Sequence, residues 1–194
     1  CTGDIDKAYA KYKQLEEEFG PSPMSDHLLA STSFYNQRYQ ESIDYNLRSL
    51  ERQEMSNSEG LYQTWINLGE AYLANNQLSK AKQAYSNAIT QAELSGQTGD
   101  VNVRAEQLYA RMSLLKLEGT MNEKQRREFA ATLSEIEEKV VEPGAMLRLM
   151  LIHREMNNTG KADILLKKIS AQCKAYADHP SFAELQSGHK KRGS

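Results

Sequence analysis

The chain has 194 residues, 24 basic and 26 acidic side chains, and a net charge of −2. Charges this evenly balanced leave no basic face for a nucleic-acid backbone. A mean hydropathy of −0.70 and the lack of any long apolar run exclude a membrane-spanning helix. Ala, Leu, Glu, Lys, Gln and Ser are abundant and no stretch alternates as a strand would, so the expected fold is all-α. The length fits one domain, here 1–178, followed by a polar tail at 179–194.

The first predicted helix lies within 3–23, with Ala8, Tyr12 and Leu15 as its stripe and Pro21 and Pro23 stopping it. A second follows at about 24–35 and a third within 36–51, where Ser42 and Ser49 are small residues at helical spacing. The fourth, about 60–74, places Trp65, Leu68, Gly69 and Tyr72 at i, i+3, i+4 and i+7, one face of a helix. "NNQ" then predicts a turn, because Asn tolerates the left-handed backbone. The fifth helix, about 79–94, carries Ala81, Tyr85 and Ala88 as the facing stripe. Asp100 is a predicted N-cap for a helix at 101–117, whose stripe is Ala105, Leu108, Tyr109 and Met112, and Gly119 ends it. A charged helix at 122–140 keeps Phe129, Leu133, Ile136 and Val140 on one face. After the Pro143–Gly144 break, a last pair spans 144–156 and 161–177 around "NNTG", with Ala162, Leu166 and Ile169 as its stripe.

Trp65, Leu68, Gly69, Tyr72, Ala81, Tyr85 and Ala88 resemble the signature of the tetratricopeptide repeat (TPR), with Tyr85 where that family has Phe. The likeness is specific over 24–94 and divergent over 101–177. In the unit before, Ala30 stands where Gly69 stands, and Asn46 departs from the aromatic of Tyr85. The resemblance implies a right-handed superhelical stack of antiparallel helix pairs, with Gly69 and Ala81 letting two helices close up and Tyr72 and Tyr85 filling the space beside them. It also implies a non-enzymatic scaffold whose first helices line a concave groove for a peptide or a partner's helix. The groove residues expected on that basis are His27, Ser31, Phe34 and Tyr35; Gln63, Ile66, Asn67, Glu70 and Leu73; and Glu106, Gln107 and Ala110. A carboxylate clamp is not expected: Asn67 fits one of its positions, but no basic residue of the neighbouring first helices completes it. The long connection after 94 also resembles repeats of bacterial sensory and regulatory proteins, which relay the binding of a partner to an output domain.

No residue pattern calls for a cofactor, a metal or catalysis. His27, His153, His179 and His189 are scattered, without the pairing a helical zinc site needs. "GQTGD" follows a helix rather than a strand, so it is a connector and not a phosphate loop. The carboxylates of "EEE" at 16–18 and "EIEEK" at 135–139 read as solvated faces, and "HKKRGS" at 189–194 as a solubilising end. Tyr9, Tyr12, Tyr45 and Tyr109 fall on helical stripes and read as core, as does Cys173. The first residues, Cys1-Thr2-Gly3-Asp4, look like the turn before a second helix, which favours a piece of a longer, cytoplasmic array. The competing expectation is an envelope lipoprotein, lipidated at Cys1 and periplasmic, that assists secretion or pilus assembly; membrane attachment is expected only in that case.

Overall fold

A computed structural model gives the architecture and describes residues 4–56, 61–97, 99–119 and 121–172. Cys1, Cys173, His179, His189, the basic end and the last residues of the final predicted helix lie outside the described residues. Among the described residues there are nine helices and no strand: α1 (Ile5–Phe19), α2 (Pro23–Tyr35), α3 (Tyr39–Ser56), α4 (Leu61–Ala74), α5 (Leu78–Leu94), α6 (Val101–Glu118), α7 (Glu123–Ile136), α8 (Pro143–Glu155) and α9 (Thr159–Gln172). The all-α expectation holds, and α1 to α6 begin and end within a few residues of the predicted bounds. The charged helix is shorter than predicted: α7 ends at Ile136, and Val140 reaches the core from the connection that follows.

Local chemistry explains the starts. Asp4 accepts from the Lys7 N–H, and the Asp100 carboxylate from the N–H groups of Asn102 and Val103. Ser22 with Ser25, and Asn122 with Gln125, form reciprocal capping boxes. Three hairpins then turn in the same way. Gln37, Asn76 and Asn157 each take a left-handed φ, of 59°, 57° and 61°. In each, the next residue's N–H reaches a carbonyl five positions back: Arg38 to Ser33, Gln77 to Tyr72, and Asn158 to His153. These turns pair α2 with α3, α4 with α5, and α8 with α9, and each pair packs closely.

The turns also fix equivalent positions. Gly69 corresponds to Ala30 in α2 and Met150 in α8, and Tyr85 corresponds to Asn46 in α3 and Leu166 in α9. Volume is traded across the α4–α5 hairpin, where the Tyr85 ring covers Gly69; at the matching positions the α2–α3 hairpin carries Ala30 with the smaller Asn46. Asn46 is buried and donates to the Ser42 carbonyl oxygen.

The α6–α7 pair differs. Tyr109 occupies the place of Gly69, and among the described residues no left-handed corner of the kind above joins the two helices. With no small-residue notch to close against, α7 stands off from α6, and α8 packs directly on α6 instead. Two apolar cores result. One joins α3, α4 and α5 to Val103 and Ala110 of α6. The other joins Ala105, Leu108 and Met112 of α6 to α7, α8 and α9. Tyr109 packs against both.

Candidate functional site

The signature residues pack as a close helix crossing. A methyl group built on Gly69 would lie 2.8 Å from the Tyr85 ring, so the ring lies over the glycine itself rather than beside it. Ala81, Ala84, Tyr85 and Ala88 are all fully enclosed, and Trp65 is half-buried against the same core. Together with the repeated left-handed corners, this is a stack of antiparallel hairpins built around a glycine–aromatic contact. The fold is TPR-like. Two crystal structures of nearly identical TPR-like repeats, described as kinesin light chain from Podosopora anserina, are similar to the chain at 16% identity and a TM-score of 0.47. One alignment covers 87% of this chain and 86% of the other, and the second covers 89% of each. No protein-family model matches the sequence. No curated protein matches it either.

The TPR-like first helices are α2, α4, α6 and α8, and the expected groove residues divide into three groups on them. Ile66 and Ala110 are 1% and 0% exposed and belong to the core between α4, α5 and α6. Both are enclosed and present nothing to a ligand. His27, Ser31, Phe34, Tyr35, Gln63, Asn67 and Gln107 are half-buried, and Leu73 is 39% exposed. Within this group Phe34 stacks near Tyr39 at 5.6 Å between ring centroids, and Gln107 donates to Glu93 of α5 at 3.2 Å. Ser31 turns its hydroxyl back to the His27 carbonyl oxygen.

The third group, Glu70 and Glu106, is only 8% and 6% exposed, and Arg148 of α8 binds both. Its Nη1 donates to Glu70 Oε1 at 2.5 Å, its Nε to Glu106 Oε2 at 3.2 Å, and its Nη2 to Asn67 Oδ1 at 3.0 Å. The Tyr109 hydroxyl donates to Glu70 Oε1 at 2.8 Å, and its ring lies 4.7 Å from the guanidinium carbon. Sequence reasoning missed Arg148. It does place a basic residue beside Asn67, but two carboxylates already hold that charge, so a partner's carboxylate meets no open cation there.

The electrostatics follow from enclosure. Burial opposes the charge of Arg148, and the carboxylates of Glu70 and Glu106 outweigh it, holding the guanidinium well above its usual range. Burial pushes the Glu106 carboxyl up; Arg148 pulls it back and Glu70 adds to the rise. Burial lowers His27, and the positive field of Arg148 lowers it further. A residue of α2 thus feels a charge carried on α8.

Other charges are more tied than the sequence suggests. Glu16 pairs with Lys13 and Arg48, Glu135 takes a two-pronged contact from Arg104 at 2.7 Å for each oxygen, and Glu137 meets Lys161 and His153. Tyr9 and Tyr45 sit half-buried in a polar cluster with Glu41, where Tyr109 is packed on both cores. Among the described residues no group of His, Cys, Asp and Glu is arranged to hold a metal ion, and no helix is long and apolar enough to cross a membrane.

Proposed function

We propose that the chain is a non-enzymatic protein–protein interaction scaffold that receives a peptide or a partner helix along its inner face. Stacked hairpins of this kind make extended concave surfaces whose shape is set by the stack rather than by the ligand. The carrying observation is that Arg148 of α8 reaches Asn67 and Glu70 of α4 and Glu106 of α6, so the first helices of three successive units meet side by side, and α2 packs beside α4. His27, Ser31, Phe34, Gln63, Asn67 and Leu73 are the half-buried or exposed residues available for contact on that surface. Polar groups with a few apolar ones suit an extended or helical peptide. A finer reading, that the array is the sensing part of a regulatory protein, rests on the general likeness of its long connection alone.

The test is selection of peptides from a displayed library on the immobilised chain, with each recovered peptide titrated by fluorescence anisotropy. Ser31→Arg and Leu73→Glu, both at accessible positions, should weaken binding at least tenfold while leaving the helical spectrum and melting unchanged. Peptides that bind both variants as well as the parent would move the site off the inner face, and a library yielding none would overturn the scaffold reading.

A further inference from the structure

The two apolar cores meet at α6, and this helix supplies residues to each on different faces. The Arg148 network also ties α8 directly to α4. Its chemistry is that of a guanidinium-binding pocket. Glu70 and Glu106 supply carboxylate oxygens, Asn67 supplies an amide oxygen, and Tyr109 supplies a ring face. The acceptors for Arg148 are spread over α4 and α6, two different units, so the side chain can be satisfied only when both units sit in register with α8.

We propose that Arg148 is an internal latch: α4 and α6 form a guanidinium pocket that α8 fills, and its occupancy holds the C-terminal core in fixed alignment with the N-terminal one. With the pocket empty, α8 and α9 open as a unit while α2 to α5 stay closed. An opening of this sort is a sub-global unfolding step, whose cost is set by the Arg148 contacts to α4 and α6 together with the apolar packing of α8 on α6. Planar, forked donors are what the pocket matches; an ammonium carries the charge without the geometry.

Hydrogen exchange followed peptide by peptide tests this on the full chain. In Arg148→Ala the amides of α8 and α9 should exchange at least tenfold faster, with those of α4 and α5 unchanged. Millimolar ethylguanidinium should restore slow exchange, and ethylammonium at the same concentration should not. Unchanged exchange in α8 and α9, equal acceleration in both halves, or rescue by both cations would each overturn the latch. Should Arg148→Ala fail to accumulate as folded protein, Glu106→Gln serves in its place. It keeps one acceptor and should give a smaller acceleration confined to the same two helices; acceleration spread over both halves would again overturn the proposal.

Discussion

Single residues already decide how closely these helices meet. A methyl group at Gly69 would sit 2.8 Å from the Tyr85 ring, and that ring is fully enclosed. Overpacking of this kind costs about 1–3 kcal/mol, while Gly to Ala inside a helix gains about 1 kcal/mol. Gly69→Ala should therefore lower stability, by up to about 2 kcal/mol, read from the urea midpoint at unchanged slope. The cost should shrink in a Tyr85→Leu background, and an equal cost in both would remove the ring as its cause. His153 supplies a second prediction. It is buried on α8, its Nε2 lies 3.0 Å from Glu137 Oε2, and Lys161 pairs with the same carboxylate. Burial lowers its pKa below the usual 6.5; Glu137 pulls the other way and Lys161 adds to the lowering. The unfolded chain therefore takes up a proton before the folded chain does, so stability falls as pH drops through 6.5. Melting temperature measured from pH 7.5 to pH 5.5 should decline, and less steeply in His153→Gln. Glu106, shifted upward, acts in the opposite sense, losing stabilisation as pH rises above its usual 4.5. The comparison with His153→Gln cancels that contribution.

Among the helices, α1 is held differently from the rest. It contains no fully buried residue, and its ties to the stack are polar: Arg48 to Glu16, the Tyr9 hydroxyl to Glu41, Asn36 to Asp6, and the Arg38 guanidinium over the Tyr9 ring. Contacts between half-exposed charges weaken as salt shortens the Debye length from about 10 Å at 0.1 M to about 3 Å at 1 M. Amide exchange in α1 should accelerate severalfold over that range, with α4 and α5 unaffected; a uniform response would mean that α1 is held by apolar contact instead. Most of this element scale was legible in the sequence, because periodicity, caps and turn residues act over a few positions. The N-cap at Asp100 and the left-handed turn around Asn76 needed no knowledge of the fold. The contacts of α1 did need it, since Glu16 and Arg48 are 32 residues apart.

Across the whole molecule, legibility stops where packing departs from the repeat. A regular stack would leave Glu70 and Glu106 on an open inner face. The actual stack turns α8 onto α6 and brings Arg148 to partners 78 and 42 residues earlier in the chain. Spacing that long carries no local pattern, and only the closing of the array reveals the pairing. Ile66 and Ala110 lie inside the core between α4, α5 and α6, because the side of α4 and α6 that faces a neighbouring helix is wider than a single stripe.

The corner chemistry has a consequence for where the chain tolerates added length. At Asn76 the backbone turns left-handed and two N–H groups close back onto α4, so an inserted residue would break both bonds. Gly119 ends α6 with its N–H on the Leu115 carbonyl oxygen, and α7 carries its own capping box to restart the helix. A six-residue Gly-Ser graft after Gly119 should leave the melting temperature within a few degrees of the parent, whereas the same graft after Asn76 should lower it by about 10 °C, the effect of a loss of about 3–5 kcal/mol in a domain of this size. That makes the connection between α6 and α7 the natural port for a tag, a fluorophore or a fused domain, and the place where a lineage of such chains can change length without rebuilding its core.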